Sequence, residues 1–353
     1  MSTTAAIDAT GDTSVVEGAG VERFLVTGAL GCLGAWTVAT LVREGASVTA
    51  LDVGRDTRRL RQIMSDDELA KVQLEAGDIT DLAELERVLD AHEVTNLIHL
   101  AALQVPFCRA DPPRGALVNV VGTVNVFEAA RRRADRMAPV VYTSSIAVYS
   151  AGDADPSTGR LTTTATPHPA NHYGVYKLAN EGNAGLYWLD SGLSSVGVRP
   201  MTVYGVGRDQ GMTSGPTKAI VAAVLGQPYQ VPFDGLTLYQ YAEDVARTLI
   251  AGSRSSLEGA HVFNLPGVVA DGPAFASAIE AAVPGGTDRI GFDAVSLPFP
   301  TEIDHDGIEA IGALAVKPLE DGIAASVAIY QAMARDGRLD PADHGLEPVS
   351  AAR

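Results

Sequence analysis

The feature that most constrains this chain is a glycine-rich turn between an apolar strand and a helix. The short apolar segment Arg23–Thr27 runs directly into Gly28-Ala-Leu-Gly-Cys-Leu-Gly34, and a helix is predicted over 34–44. Glycines at this spacing permit a tight turn, and the N–H groups at the start of the helix can then approach a pyrophosphate. The turn therefore predicts a dinucleotide site, whose expected contacts are Gly28, Leu30, Gly31, Cys32 and Leu33.

Strand-like and helix-like segments alternate along the first two thirds of the chain. Further strands are predicted at 47–51, 72–75, 96–100, 140–143 and 194–200, and helices at 60–69, 82–91, 115–133 and 172–191. This alternation predicts an α/β fold, a Rossmann-type doubly wound parallel sheet with helices on both faces.

The pattern changes after Tyr204, where glycine and proline recur between helices predicted at 217–225, 242–252 and 273–283. We therefore expect a disordered leader over 1–20, a Rossmann domain that carries the cofactor and the catalytic residues over 21–204, a smaller C-terminal substrate lobe over 205–336, and a loose tail over 337–353.

Two acids close predicted strands beside the glycine turn. Asp52 ends the second strand, where a carboxylate accepts hydrogen bonds from both ribose hydroxyls and repels a 2′-phosphate, which favours NAD over NADP. Arg55 lies nearby and softens that preference, and an ordinary turn residue is the alternative interpretation of Asp52. Asp78, followed by Ile79, is positioned to hold the adenine amino group, although a helix N-cap for the segment starting near Asp81 is an equally good local explanation.

A serine, a tyrosine and a lysine form the candidate catalytic set. Tyr173 and Lys177 are four residues apart in a predicted helix and share one face, and Ser145 follows the fifth strand. A tyrosine ordinarily titrates near pH 10, and a neighbouring ammonium together with an oxidised nicotinamide would favour the phenolate. Tyr173 is therefore the predicted general base, with Ser145 as a hydrogen-bond partner of the substrate oxygen.

Composition narrows the remaining classes of function. The net charge of −17 disfavours nucleic acid and anionic membranes as partners. No metal-ligand spacing is present among the seven histidines, so no metal is expected. The first 20 residues lack the basic start and apolar core of a signal peptide, no apolar run reaches membrane-spanning length, and the two cysteines do not form a disulfide framework. These observations favour a cytoplasmic protein.

Taken in order, the motifs resemble those of the extended short-chain dehydrogenases/reductases, the group that contains NAD-dependent sugar-nucleotide epimerases and dehydratases. The resemblance covers about 24–252, and more faintly 316–330. It rests on Thr27-Gly-x-x-Gly-x-x-Gly34, Asp52, Gly77-Asp-Ile79, Leu100-Ala-Ala102, Asn119-Val-x-Gly-Thr123, Ser144-Ser-Ile-Ala-Val-Tyr149, Tyr173-Gly-x-x-Lys177 and Arg199-Pro-x-x-Val-Tyr-Gly205.

The resemblance implies roles for the matching positions. Tyr173 would be the general acid/base, Lys177 would bind the nicotinamide ribose and tune Tyr173, and Ser145 would orient the substrate hydroxyl. Further cofactor contacts are implied at Leu100, Ala101, Ala102, Asn119 and Pro200. Family members commonly pair two long helices into a four-helix dimer interface, which here implies a homodimer through 115–133 and 172–191.

Two positions depart from the sugar-nucleotide pattern. Those members usually place an asparagine three residues after the arginine of the sixth strand, where Thr202 stands here, and an arginine where Thr237 stands. Threonine cannot replace the two-pronged binding of a diphosphate by a guanidinium. The segment 207–218 is instead rich in hydroxyls and amides, which suits a small polyol, sugar or sugar acid, although a polar surface loop explains it equally well. The expected substrate contacts are Gln104, Ser145, Ile146, Thr202, Arg208 and Thr213.

Three functions follow from these observations. The leading hypothesis is an NAD-dependent dehydrogenase that oxidises a hydroxyl of a small polyhydroxylated substrate such as a sugar or sugar acid. The alternative is a nucleotide-sugar 4-epimerase or dehydratase that recycles bound NAD. A cofactor-sensing protein without chemistry is the third, and the retention of Tyr173 and Lys177 disfavours it.

Overall fold

The computed structural model describes residues 21–287, 289–312 and 314–347. Its strands are β1 (Arg23–Thr27), β2 (Ser47–Asp52), β3 (Gln73–Ala76), β4 (Asn96–His99), β5 (Val140–Thr143), β6 (Arg160–Leu161), β7 (Ser195–Arg199), β8 (Thr202–Tyr204), β9 (Tyr229–Val231), β10 (Thr237–Tyr241), β11 (Ala260–Asn264), β12 (Val268–Ala270), β13 (Ile290–Phe292) and β14 (Glu302–Ile303).

Its α-helices are α1 (Cys32–Arg43), α2 (Arg58–Ile63), α3 (Asp66–Leu69), α4 (Leu82–Ala91), α5 (Val105–Ala110), α6 (Pro112–Ala116), α7 (Gly122–Arg131), α8 (His172–Ser191), α9 (Gly215–Leu225), α10 (Ala242–Arg254), α11 (Gly272–Ala282) and α12 (Leu319–Arg335). A π-helical turn, Leu117–Val121, joins α6 to α7. Short 3₁₀ turns lie at Ile146–Val148, Ala151–Asp153, Ile308–Ile311 and Pro341–His344.

Within the described residues, the main sheet has seven strands in the order β11-β7-β5-β4-β1-β2-β3, and every pairing is parallel. The strand order reverses between β1 and β4. In sheets of this kind the ligand binds in the crevice outside the carboxyl ends of the strands at that reversal. The predicted doubly wound Rossmann-type sheet is therefore confirmed, and its topology places the glycine turn, which follows β1, at the binding crevice.

Several predicted elements differ from the structure in detail. The predicted helix over 60–69 is two helices, α2 and α3, because Ser65 caps α3 in a capping box with Glu68. The predicted helix over 115–133 starts at α6 and continues through the π turn into α7. The leader predicted over 1–20 lies outside the described residues.

The carboxyl-terminal third contributes to both parts of the molecule. Strand β11, in the range assigned to the substrate lobe, pairs with β7 in the main sheet, and α10 packs against α1. The other strands of that range lie in small sheets, β10 and β12 with β8, β13 with β9, and β14 with β6. Sequence periodicity could not reveal that β11 joins the main sheet, because a short strand after a helix has the same pattern in the main sheet and in the smaller lobe.

The expectation of a loose tail after 337 is wrong for residues 337–347. Leu339, His344 and Leu346 are buried, and the ring of His344 packs edge-on against Tyr330 of α12. Two leucines in this segment supply the apolar surface that holds it on the protein. Among the described residues, no helix is both long and apolar enough to cross a membrane.

Candidate active site

The glycine turn follows β1 and packs directly against the end of β4. Gly28 has φ +67°, a conformation that favours glycine, and a Cβ there would lie 2.6 Å from the Ala101 nitrogen. Helix α1 begins at Cys32, with Gly31 at its N-cap and no side-chain cap. The first N–H groups of α1 are therefore left for a ligand in the cleft, which has a volume of about 580 Å³.

Asp52 lies at the adenosine end of this cleft. Its carboxylate accepts hydrogen bonds from the Leu30 nitrogen and the Gly54 nitrogen, both at 3.0 Å. In the described part of the chain it has no cationic partner, so its remaining lone pairs suit the hydroxyls of a ribose. Arg55 is exposed and is not among the residues that line the cleft, whereas Arg59, which the sequence analysis did not single out, does line it.

Asp78 and Ile79 line the same end of the cleft. The local alternative for Asp78 does not hold, because Asp81 caps α4 by accepting a hydrogen bond from the Glu84 nitrogen. The exposed carboxylate of Asp78 accepts a bond from the Thr80 nitrogen at 2.9 Å and is otherwise available to an adenine.

Helix α8 carries the candidate catalytic tyrosine and lysine. Asn171 caps it by accepting a hydrogen bond from the Gly174 nitrogen at 3.0 Å. A Cβ at Gly174 would lie 2.0 Å from the Ala147 carbonyl oxygen, so only glycine allows the helix to approach the turn that follows Ser145 so closely. This contact brings Tyr173 and Ser145 to the same stretch of the cleft wall.

The surroundings of Tyr173 act on the pKa of its phenol in both directions. Burial raises the pKa of its phenol above the ordinary value, whereas hydrogen bonding with Ser145 and the positive charge of Arg208 act in the opposite direction. The effect of Lys177 on this pKa, in the presence of the nicotinamide, stays a prediction. The Lys177 ammonium donates to the Thr143 carbonyl at 2.6 Å and lies 5.6 Å from the centre of the tyrosine ring. Burial lowers the pKa of Lys177 itself to about 8.

Asn119 does not line the cleft but supports its wall from behind. It is buried in the π turn, where its amide accepts from the Leu103 nitrogen at 2.7 Å and donates to the Leu103 oxygen at 2.8 Å. The expectation of a direct cofactor contact at Asn119 is therefore corrected to a role in fixing Leu103, which does line the cleft. A π turn of this kind is common at functional sites.

A second buried network connects the strand ends beneath the cleft. The Thr123 hydroxyl donates its proton to the Asn119 oxygen at 2.7 Å and therefore accepts from His99 Nε2 at 3.0 Å. The other nitrogen of a neutral imidazole is an acceptor, so the Thr27 hydroxyl, which also accepts from the Leu100 nitrogen, donates to His99 Nδ1 at 2.7 Å. Burial lowers the pKa of His99 to about 3, so the imidazole is neutral at physiological pH.

Thr202 is also absent from the cleft wall. Its side chain is fully buried and its hydroxyl lies 3.0 Å from that of Thr237. The expectation that Thr202 contacts substrate is wrong, because β8 and β10 pair in parallel and direct both threonines into the core. Thr202 and Thr237 stand at the two positions where sugar-nucleotide members carry diphosphate ligands, and in this chain their buried hydroxyls bond to each other.

The substrate end of the cleft is lined by Gln104, Ile146, Arg208 and Thr213. Arg208 Nη2 donates to the Thr213 hydroxyl at 3.1 Å. Among the described residues, the buried Arg208 Nε and Gln104 Oε1 atoms have no hydrogen-bond partner. Gly211, at φ +97°, keeps these groups close, since a Cβ there would lie 2.1 Å from Gln104 Oε1 and 3.3 Å from Arg208 Nη2.

All other predicted cofactor and substrate residues lie along this one cleft. Those at the nicotinamide and adenosine ends are Gly28, Leu30, Gly31, Cys32, Leu33, Leu100, Ala101, Ala102 and Pro200. Sequence reasoning did not identify Leu103, Phe107, Arg114, Met212 and Phe299, which also line it. Phe299 comes from a segment without regular structure, so no motif or periodicity marks it.

A buried ion pair fixes α8 from behind. Glu181, one turn after Lys177, receives two hydrogen bonds from Arg199, at 2.8 and 2.6 Å. Arg199 also donates to the Tyr149 hydroxyl at 2.7 Å, and the Ser144 hydroxyl donates to Glu181. These bonds tie α8 to the ends of β5 and β7, which explains why Arg199 and Tyr149 belong to the motif set without touching the cleft.

The described residues contain no cluster of histidine, cysteine, aspartate and glutamate that could hold a metal ion. The groups that face the cleft are instead backbone N–H donors at a helix start, the acceptor carboxylates of Asp52 and Asp78, and the Ser145, Tyr173 and Lys177 set. This set of groups fits a dinucleotide with a nicotinamide, and the fold and the site together define a class of dinucleotide-dependent enzymes.

Comparison with known proteins gives the family. Residues 24–265 match the model of the NAD dependent epimerase/dehydratase family, so the chain belongs to that family and is an NAD-dependent enzyme. It is 31% identical over 320 residues to a UDP-glucose 4-epimerase of Mycolicibacterium smegmatis, covering 88% of this chain and 98% of that one.

Solved structures agree with this assignment. MoeE5, in complex with UDP-glucuronic acid and NAD, superposes with a TM-score of 0.72 at 26% identity and covers 88% of this chain and 99% of its own. A partial consensus L-threonine 3-dehydrogenase has a TM-score of 0.77 at 23% identity, with coverage of 88% and 99%, which shows that the fold is shared. Proteins named as epimerases and as dehydrogenases therefore share this fold.

Proposed function

We propose that this protein is a dehydrogenase that oxidises a secondary hydroxyl of a small, free polyhydroxylated acid. The observation that carries the proposal is the buried Thr202–Thr237 pair, which stands where sugar-nucleotide members place an asparagine and an arginine for the diphosphate. Two core hydroxyls bonded to each other offer no charge to a diphosphate. A free substrate without a nucleotide handle does not need that charge.

The chemistry assigned to the chain is proton transfer and substrate orientation. NAD supplies the hydride acceptor. Tyr173 takes the hydroxyl proton of the substrate, and Ser145, which lies on the same stretch of the cleft wall, holds the reacting oxygen. Lys177, fixed by the Thr143 carbonyl, would hold the nicotinamide ribose of bound NAD beside the phenol.

Arg208 and Gln104 support an acidic substrate rather than a neutral one. A guanidinium with a buried, unpartnered Nε, in the part of the chain that the structure describes, is suited to a carboxylate, and the free Gln104 Oε1 is suited to a hydroxyl donor. The Thr213 hydroxyl holds the guanidinium at one nitrogen and leaves the others available. A free sugar acid offers both complementary groups.

The second candidate is a nucleotide-sugar 4-epimerase that recycles its bound NAD. It is favoured by the relative from Mycolicibacterium smegmatis, which is named for UDP-glucose and matches nearly its whole length. The two candidates share Tyr173, Ser145 and Lys177, and they differ in the handle by which the substrate is held and in whether NADH is released.

A panel assay separates the two candidates. Purified protein with NAD is offered free sugar acids, the corresponding neutral sugars and polyols, and UDP-sugars, and NADH absorbance is followed. We expect NADH with one or more acids, weaker turnover of the matching neutral compounds, and none with UDP-sugars. Turnover of a UDP-sugar to its epimer, with all free compounds inert, would reject the dehydrogenase.

We also propose a homodimer formed through α8 and the α6–α7 helix. Exposed apolar or small residues recur along one face of α8 at Val175, Ala179, Gly182, Leu186 and Leu189. Leu117 and Val121 are exposed on the neighbouring helical segment. Spacing of three, four and seven residues produces a continuous stripe, which a second copy of the same two helices can cover.

A cytoplasmic location is proposed from the cysteines. In the described residues Cys32 and Cys108 are free thiols, and Cys108 is buried. Free thiols of this kind persist in reducing compartments.

A further inference from the structure

A buried carboxylate joins the loop after β8 to the first helix after β2. Asp209 has a side chain that is 1% exposed, and it accepts hydrogen bonds from two consecutive arginines of α2. Arg58 Nη2 donates at 2.9 Å, and Arg59 donates through Nη2 at 2.6 Å and Nε at 3.1 Å. The neighbouring residue Arg208 instead donates to the Thr213 hydroxyl at the substrate end of the cleft.

Arg59 lies at the adenosine end of the cleft, beside Asp52. Arg59 Nη1 donates to the Leu30 oxygen at 3.0 Å, and the Leu30 nitrogen donates to Asp52 Oδ2 at 3.0 Å. The backbone of Leu30, in the glycine turn, therefore binds both side chains. Its carbonyl accepts from Arg59 and its N–H donates to Asp52. Both side chains line the cleft.

This arrangement bears on the choice between NAD and NADP. In dinucleotide sites of this fold, an acid at the end of the second strand accepts from the ribose 2′-hydroxyl, and a nearby arginine accommodates a 2′-phosphate. The chain has both residue types here. The guanidinium of Arg59 is already engaged at three nitrogens by Asp209 and Leu30, and the charge of Arg58 is offset by Asp209 and Asp343.

We propose that Asp209 is a second determinant of cofactor choice. By holding Arg59, it withholds the guanidinium that would otherwise bind the 2′-phosphate of NADP, while Asp52 repels that phosphate directly. NAD selection in this chain thus depends on two carboxylates, one at the ribose and one behind the arginine. A purely structural ion cluster would affect the stability of the protein and leave the ratio of the two cofactor affinities unchanged.

The test measures dissociation constants for NADH and NADPH by fluorescence titration, which requires no substrate. In Asp209→Asn we expect the NADPH affinity relative to NADH to rise about ten-fold or more, the effect of one charge-assisted interaction gained. Adding Arg59→Gln to that variant should cancel the gain. Asp343→Asn is the matched control, because it removes an exposed partner of Arg58 and should leave the ratio unchanged.

Two results would overturn the proposal. One is a folded Asp209→Asn protein whose NADPH-to-NADH affinity ratio equals that of the unmodified chain. The other is a gain that persists after Arg59→Gln. Should Asp209→Asn fail to fold, the Asp52→Asn variant tests the proposal instead. Because Asp209 still holds Arg59 in that variant, we expect it to bind NADPH more weakly than NADH. Tighter binding of NADPH would mean that Arg59 is already available to the 2′-phosphate and would contradict the proposal.

Discussion

The Lys177 ammonium donates to the Thr143 carbonyl at 2.6 Å, at the carboxyl end of β5. This bond fixes the lysine beside Tyr173, with the ammonium over the phenol ring at 5.6 Å from its centre. Burial raises the pKa of the phenol, and the positive charge of Arg208 acts against that rise. The catalytic set therefore includes a contribution from the substrate side of the cleft as well as from α8.

The general base is tested by Tyr173→Phe. Removing the phenol hydroxyl should lower kcat by about 10²- to 10⁴-fold, the range for loss of a general acid/base. NADH affinity should change little, because phenylalanine preserves the ring. Steady-state kinetics and a cofactor titration on the same preparation measure both quantities. A variant with unchanged turnover would contradict the assigned role.

The charge of Arg208 predicts a shift in the pH profile. Arg208 lowers the pKa of Tyr173, so Arg208→Met should raise that pKa, and the rising limb of kcat/KM for oxidation should move to higher pH. The same variant should lose more activity toward acids than toward neutral analogues. Arg208→Lys retains the charge and serves as the control. If the rising limb of the pH profile does not move in Arg208→Met, Arg208 does not influence the pKa of Tyr173.

Two buried imidazoles predict instability in acid. Burial lowers the pKa of His99 to about 3 and that of His344 to about 4, so the unfolded chain binds more protons below pH 6.5. Stability is therefore present above pH 6.5 and is lost as the pH falls toward those values, with a slope of about 1.4 kcal/mol per pH unit for each histidine.

His344→Phe tests this linkage. In the described structure both His344 nitrogens are buried without partners, so an apolar ring should be tolerated and should raise the free energy of unfolding at pH 5 more than at pH 7. Unfolding midpoints across that range measure the difference. His305→Phe, at an exposed position, controls for the loss of an imidazole. Equal changes at both pH values would count against a neutral buried His344.

The proposed dimer predicts the effect of charge on α8. Leu186 and Leu189 are 56% and 76% exposed, so Leu186→Glu combined with Leu189→Glu should leave the monomer fold intact and prevent association. Light scattering after size exclusion measures the mass. Leu236→Glu, at another exposed leucine, is the control and should stay dimeric. An unmodified chain that is monomeric would reject the interface.

The sequence was most informative where backbone geometry demands a particular residue. The turn at Gly28 and the acid at Asp52 placed the cofactor end of the cleft, and the alternation of strands and helices indicated the sheet. The sequence could not show that Thr202 points into the core, because that depends on its pairing with β10. Nor could it show that Asp209 holds Arg59, since these residues are 150 positions apart.

The central claim is net oxidation of a free acid, and the most direct measurement is the stoichiometry of NADH to product. With the acid that gives the fastest turnover, one NADH should appear for each molecule of substrate consumed, and UDP-glucose should be recovered unchanged after prolonged incubation. Conversion of UDP-glucose to its 4-epimer without accumulation of NADH, in the same preparation, would contradict the account.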